Sequence, residues 1–317
     1  MTTTADDTRW LAAAACLAER ARPLSRPNPA VGAIVVKHGM VVGHGWTASG
    51  GRPHAEAVAL AQAGEQARGA TLYVTLEPCA HRSKRGPACA DLAAATGLGH
   101  AVIGIGDPDP RTAGQGIARL QAAGVATRLA DDPVCRENLA GYLTLRREGR
   151  PHVTLKLAVT VDGFVARRDG TSKWITGEVA RAHVHRERAR ADAILIGGGT
   201  LRADAPRLDV RLPGLEERSP ERLVLTHSAA PEGWRPLPSP EAIRELTDCQ
   251  YLFVEGGAAT AAAFLEAGLI DRILLYRAPI AFGEGIAAFP NGMPEGWAIA
   301  DRRRLGADTL DILEPAR

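Results

Sequence analysis

Apolar and polar positions along the chain follow two periods. In the first half, residues 31–37 and 40–45 alternate with the two-residue period of strands on either side of Gly39 and read as a hairpin, whereas 55–62 repeat with the period of a helix. Residues 71–76 form a buried strand, 89–96 a helix, 101–105 a strand, then a helix ends near Gly124 and a strand covers 125–129. Ahead of them, the apolar stretch from Leu11 to Ala18 reads as an amphipathic first helix with Asp7 or Thr8 as its N-cap. Strand and helix in alternation predict an α/β sandwich around a largely parallel sheet.

Residues 130–150 are polar and end in Arg146-Arg147-Glu148-Gly149-Arg150 before Pro151, after which a new strand, 153–160, begins at once. The domain boundary is therefore expected near residue 150, giving domains 1–150 and 151–317. The second half repeats the alternation with a helix at 179–191, strands at 193–196, 223–226 and 251–254, a helix at 259–267 and a strand at 272–276. Residues 231–240 are rich in proline and read as a loop, and no internal repeat is evident.

Composition narrows the classes. With 317 residues, 45% hydrophobic and 23% charged, the chain is no disordered segment and is long enough for two cores. The net charge of +2, from 38 basic and 36 acidic side chains, lacks the one-signed field of a dedicated nucleic-acid binder, so small molecules are the expected partners. No run reaches the roughly 18 apolar residues of a membrane span. Asp6 and Asp7 stand where a signal peptide carries positive charge, so a cytoplasmic protein without membrane contact is expected. Cys16, Cys79, Cys89, Cys135 and Cys249 are odd in number and scattered, a pattern that suits reduced thiols or metal ligands better than a disulfide framework.

The densest chemistry lies at His54-Ala55-Glu56, Glu77-Pro78-Cys79 and Cys89. One imidazole and two thiolates are three good zinc ligands, and three ligands leave a fourth tetrahedral position open for water. Glu56, two residues beyond His54, is placed to act as general acid and base rather than as a ligand, the His-x-Glu and Pro-Cys arrangement of zinc deaminases. The plainer alternative is that His54 caps a helix and the two cysteines are buried thiols. Nine residues separate Cys79 from Cys89, so the second thiolate does not come from the next helical turn, and His81, Arg82, Lys84 and Arg85 make the intervening loop cationic. Such a loop either clamps a phosphate or is simply solvated. In the second half, Ile196-Gly197-Gly198-Gly199-Thr200 and Glu255-Gly256-Gly257 are glycine-rich turns that let backbone amides approach a phosphate, although neither is the Gly-x-Gly-x-x-Gly fingerprint and each also suits a tight turn.

Arg26-Pro27-Asn28-Pro29-Ala30-Val31-Gly32, Pro53-His54-Ala55-Glu56, Thr75-Leu76-Glu77-Pro78-Cys79 and Asp107-Pro108-Asp109-Pro110 resemble the bifunctional deaminase–reductase family of riboflavin biosynthesis. So do Thr154-Leu155-Lys156-Leu157-Ala158, Asp162-Gly163, Ser172-Lys173-Trp174-Ile175-Thr176-Gly177, Gly197-Gly198-Gly199-Thr200, Asp204-Ala205-Pro206-Arg207-Leu208 and Val254-Glu255-Gly256-Gly257. These motifs cover nearly the whole chain in the family's order. The resemblance implies a cytidine-deaminase-like α/β/α sandwich followed by a dihydrofolate-reductase-like α/β domain. It implies zinc (Zn2+) on His54, Cys79 and Cys89, Glu56 as proton shuttle, and a cysteine loop one residue longer than usual. Asn28 matches a family residue near the pyrimidine, or else serves an Asx-type turn between its two prolines, and Thr47 stands where many members carry His.

For the reductase, the resemblance implies NADPH contacted at Ala158, Trp174, Thr200, Asp204, Gly257, Ala258, Ala259, Thr260, Ala261, Ala262 and Ala263. It implies substrate contacts at Ser172, Arg188, Leu208, Arg211 and Glu255, with Arg188 and Arg211 on the ribose phosphate. Arg181, His185 and Arg188 share a helical face, which equally suits a solvated cationic surface. Between Thr226 and Tyr251 the chain is shorter than the family's, so this domain is expected to lose part of a layer. The implied reaction is deamination of a diaminopyrimidine ribosyl phosphate and reduction of its ribosyl group to ribityl, carried out by a homo-oligomer. Rival readings are a zinc nucleoside or transfer-RNA deaminase with a non-catalytic second domain, and a binding protein with structural zinc.

Overall fold

The structure, a computed structural model, describes residues 4–81, 86–172, 174–290 and 292–316. It divides into two compact units, Met1–Gly149 and Arg150–Arg317. Among the described residues, no helix is long and apolar enough to cross a membrane.

The first unit contains α1 (Ala5–Ala18), β1 (Gly32–Lys37), β2 (Met40–Trp46), α2 (Ala55–Ala63), β3 (Thr71–Leu76), α3 (Cys89–Ala95), β4 (His100–Ile105), α4 (Gln115–Ala122), β5 (Ala126–Leu129), α5 (Pro133–Asn138) and α6 (Ala140–Glu148). Its sheet runs β2-β1-β3-β4-β5 and is mixed: β1 is antiparallel to β2 and β3, while β3, β4 and β5 are parallel. The expected largely parallel sheet therefore holds for one half only. The cap of α1 also lies earlier than Asp7 or Thr8, at Thr4. There Thr4 Oγ1 accepts from the Asp7 amide at 3.2 Å while the Asp7 carboxylate accepts from the Thr4 amide at 3.1 Å, a reciprocal box that starts the helix at Ala5. Asp7 turns its other oxygen inward to Tyr73 Oη at 3.0 Å. Helix α1 lies so close to β1 that a Cβ on Gly32 would stand 1.9 Å from the Ala14 carbonyl oxygen, which requires glycine there.

Residues 130–150, polar in sequence, form the helices α5 and α6. Asp132 caps α5 by accepting from the Cys135 amide at 2.9 Å, and Cys135, Leu139, Tyr142 and Leu143 are buried in the first unit's core. Burial pushes the Cys135 thiol up, as suits an inert apolar group.

The second unit contains β6 (His152–Thr160), β7 (Phe164–Ala166), α7 (Glu178–Arg188), β8 (Ala193–Gly197), α8 (Gly198–Asp204), β9 (Glu221–Leu225), β10 (Arg235–Leu237), β11 (Tyr251–Val254), α9 (Ala258–Glu266), β12 (Arg272–Ala278), β13 (Ile286–Ala287), β14 (Trp297–Leu305) and β15 (Asp308–Pro315). Its eight-stranded sheet runs β10-β9-β8-β11-β6-β12-β15-β14. Pairing is parallel from β10 to β12 and antiparallel for β15 and β14. The short segment between Thr226 and Tyr251 does not cost the sheet its edge. Within the expected proline loop, residues 235–237 pair with β9, and the 3-10 turn Pro240–Glu245 buries Ala242 and Ile243. One apolar cluster, with Val153, Leu155, Leu195 and Phe264, fills one side of this sheet, and a second, with Ile194, Ile196, Phe253 and Tyr276, fills the other.

Candidate active sites

Three elements converge on the metal-ligand candidates. His54 is the residue before α2, Cys79 follows the end of β3, and Cys89 opens α3. His54 Nδ1 lies 3.3 Å from Cys89 Sγ and 3.6 Å from Cys79 Sγ, and all three ligand atoms fall within 4.8 Å of one another. Among the described residues this is the one such cluster, and one nitrogen with two buried sulfurs is a donor set that fits zinc. The Cys89 amide donates to Cys79 Sγ at 3.3 Å. The Cys89 thiol, bonded to the same sulfur, holds Cys79 well below the usual thiol range while Cys89 itself is pushed up.

Glu56 is 3% exposed in the first turn of α2 and lines the same cavity of about 240 Å³ as His54 and Cys79. Burial raises its carboxyl above the ordinary value. Asn28 stands at the cavity rather than serving only the local turn. Its Nδ2 reaches across to donate to the Gly51 carbonyl at 2.8 Å, lies 3.2 Å from His54 Nε2, and faces the cavity. Gly51 has φ +84, and a Cβ there would be 2.7 Å from Asn28 Cγ. Thr47, also on the wall, is spent internally, accepting from the Val31 amide and donating to the Pro29 carbonyl, both at 3.0 Å.

The same cavity is lined by residues to which sequence reasoning assigned no role: Asp107, Asp109, Arg111, Tyr142 and Arg146. Tyr142 donates to Asp107 at 2.8 Å, and burial pushes the Asp107 carboxyl up. Arg111 grips both oxygens of Asp109, with Nη2 at 2.6 Å, and holds that carboxyl at about 2. Asp107 and Asp109 belong to the Asp-Pro-Asp-Pro string, whereas Tyr142 and Arg146 stand in the polar stretch 130–150, which carries no chemical motif. Of the cationic loop, His81 reaches the cavity, whereas Arg82, Lys84 and Arg85 lie outside the described residues.

A second cavity, of about 450 Å³, lies in the second unit. Ala158, Trp174, Thr200, Asp204, Gly257 and Ala258 line it, as do Ser172, Arg188, Arg211 and Glu255. Lys173 of the expected motif lies outside the described residues. Leu208 does not line this cavity. It is 5% exposed, with φ +54, and packs in the apolar cluster under α7. Ala259, Thr260, Ala261, Ala262 and Ala263 are also absent from the wall, because of α9 only its first residue, Ala258, lines it, after Gly256 and Gly257. Ala261 is core, and Thr260 packs where a Cβ on Gly256 or Gly197 would come within 2.3 Å of it. The glycines therefore bring the starts of α8 and α9 together at the cavity, and Gly197–Thr200 is a strand-to-helix junction rather than a free loop.

Arg188 is no solvated surface residue. Its Nε donates to Glu255 Oε1 at 2.5 Å, Nη2 to Oε2 at 3.0 Å and Nη1 to the Asp209 carbonyl at 3.1 Å, so three of its five N–H groups are spent on protein. Lys156, on β6 and unassigned from sequence, stands 3.8 Å from Glu255. Burial alone raises the Glu255 carboxyl, but the Arg188 and Lys156 charges outweigh it and hold the group below its ordinary value. Arg181 stacks on Trp174 at 4.8 Å, and Arg211 donates its amide to His185 Nδ1 at 3.2 Å.

Residues 4–105 match the family described as cytidine and deoxycytidylate deaminase zinc-binding region, and residues 151–310 match the RibD C-terminal domain. Riboflavin biosynthesis protein RibD of Aquifex aeolicus is 36% identical over 323 residues, covering 89% of each chain. That of Mycobacterium tuberculosis is 41% identical over 279 residues, covering 83% of this chain and 82% of its own. Among solved structures, Acinetobacter baumannii RibD superposes with a TM-score of 0.84 at 32% identity, covering 98% of this chain and 99% of that one. A diaminohydroxyphosphoribosylaminopyrimidine deaminase/5-amino-6-(5-phosphoribosylamino)uracil reductase from Thermotoga maritima does so with 0.87 at 29% identity and the same coverage.

Proposed function

The chain belongs to the RibD family of riboflavin biosynthesis and is a bifunctional deaminase–reductase; on that premise we propose that its first unit deaminates a diaminopyrimidine ribosyl phosphate and its second reduces the ribosyl group of the product. The observation that carries the reading is the His54, Cys79 and Cys89 cluster sharing a cavity wall with a buried Glu56.

His54, Cys79 and Cys89 would hold zinc, which when bound would supply Lewis acidity toward water near neutral pH. Glu56 takes the proton released as water adds to the amine-bearing ring carbon, and returns it to the departing nitrogen, so that water enters and ammonia leaves. Asn28 and the wall of Asp107 and Tyr142 orient the ring.

In the second unit, NADPH when bound would supply hydride for reduction of the ribosyl group to ribityl. The first turn of α9 offers unpaired amides and the positive end of its dipole to the cofactor's phosphates. Ala158, Trp174, Thr200 and Asp204 shape the rest of that side. Lys156, an ammonium on the wall 3.8 Å from Glu255, is placed to supply the accompanying proton, while Arg188 fixes Glu255 as a carboxylate. Ser172 and Arg211 stand toward the ribose phosphate.

The test supplies purified protein with the diaminopyrimidine phosphate, with and without NADPH, and identifies products by mass. Without NADPH, the expected product has one amine replaced by hydroxyl, with an equivalent of ammonia released. With NADPH, two hydrogens are added to that product. Ammonia from cytidine, adenosine or RNA, with none from the pyrimidine phosphate, would overturn the reading.

A further inference from the structure

Two residues before the ligand Cys79 lies Glu77, 3% exposed. Its carboxylate is committed to backbone on three sides. Oε2 accepts from the amides of Asp107 at 3.3 Å and Gly114 at 3.1 Å, and Oε1 from Gly116 at 3.0 Å and Ile117 at 3.2 Å. The Glu77 amide donates to the Ile105 carbonyl at 2.9 Å. One side chain thus ties the end of β3 to the loop after β4 and to the first turn of α4. That turn needs acceptors and a negative charge in any case.

The consequence for the metal site follows from what stands between. Pro78 has no amide hydrogen, so the turn from β3 to Cys79 has no donor of its own at that position. The Pro78 carbonyl instead rests against Gly116, where a Cβ would come within 2.1 Å of its oxygen. Upstream of Cys79, the hold therefore comes from Glu77 and from this close approach. Downstream, the Cys79 carbonyl accepts from Ala90 at 3.1 Å.

We infer that Glu77 is a positioning residue for the metal site: by gripping four amides it fixes the Pro78–Cys79 turn and so aims Cys79 Sγ at the point shared with His54 and Cys89. The inference rests on reading that cluster as the zinc site. Groups that orient a metal ligand from behind are worth about 10–100-fold in metal affinity.

Glu77→Gln replaces one carboxylate oxygen by an amide NH2 group, which turns a donor toward backbone donors. Its zinc dissociation constant, measured by competition with a chromophoric chelator, is expected to rise about 10–100-fold, and its cobalt-loaded form to lose thiolate charge-transfer intensity. Excess zinc should restore deamination toward the wild-type rate, and reduction of pre-deaminated intermediate should be unchanged. Glu77→Asp, which keeps the charge but shortens the reach by one methylene, is expected to fall between, and it carries the same comparison should the Gln variant not fold. Wild-type zinc affinity in both variants, whatever happens to their melting temperatures, would overturn the inference. A wild-type protein that binds no zinc would instead overturn the reading of the site, and this inference with it.

Discussion

Glu56→Gln is expected to keep its zinc and lose about 10²–10⁴-fold in deamination rate, the usual worth of a placed general acid and base. The side chain is nearly isosteric, and His54, Cys79 and Cys89 are untouched, so the donor set survives. What disappears is a buried cavity-wall carboxylate two residues from the ligand His54; of the other carboxylates lining that cavity, Glu77 is held by backbone amides, Asp109 by Arg111 and Asp107 by Tyr142. Reduction of the deaminated intermediate should continue at the wild-type rate, because its side chains belong to the other unit. The check is a steady-state ammonia assay beside metal analysis of the same sample. A variant retaining full deaminase rate would remove Glu56 from the mechanism.

Arg188→Ala is expected to be the most costly change in the second unit. It leaves Glu255 buried with Lys156, at 3.8 Å, and the weaker influence of His185 as counter-charge. Breaking a buried ion pair from one side costs about 3–5 kcal/mol, so the unit should unfold at markedly lower urea and NADPH oxidation should be lost. Glu255→Gln, which removes the charge and keeps the shape, should be milder in stability yet also lose turnover. The same pair sets a pH dependence. Because Glu255 titrates below its ordinary value when folded, its stabilising contribution is fully present above the ordinary glutamate range near 4.5 and fades as pH falls through the folded value. Urea unfolding measured from pH 6 downward through about pH 4 should therefore show a steeper loss in wild type than in Glu255→Gln. Equal slopes would contradict the ion-pair account.

What the sequence made legible follows a physical rule. His54, Glu56, Cys79 and Cys89 could be read because metal and proton chemistry admits few residue types, and those types stood at strand and helix ends. Lys156, Tyr142 and Arg146 could not. A single lysine in a strand otherwise reading as buried, or an arginine in a charged run, has no local signature, and only the fold turns each toward a cavity. The two helices after residue 130 were legible in principle. Cys135, Leu139, Tyr142 and Leu143 fall at i, i+4, i+7 and i+8, a helical stripe hidden by the polar residues between them. Strand β14 was not, since its central residues are exposed and Asp301-Arg302-Arg303-Arg304 shows no alternation. Pairing with β15 makes it a strand. Leu208 illustrates a different limit: its neighbours match the motif, but its left-handed backbone and its place in the apolar cluster have no sequence signature.

The measurement that bears most directly on the account is zinc content per chain, taken with deaminase rate, in wild type and in Cys79→Ser. One zinc per chain in wild type, with metal and ammonia release falling together in the variant, is the predicted result. Equal zinc in both proteins, or deamination that continues after the metal is gone, would contradict it.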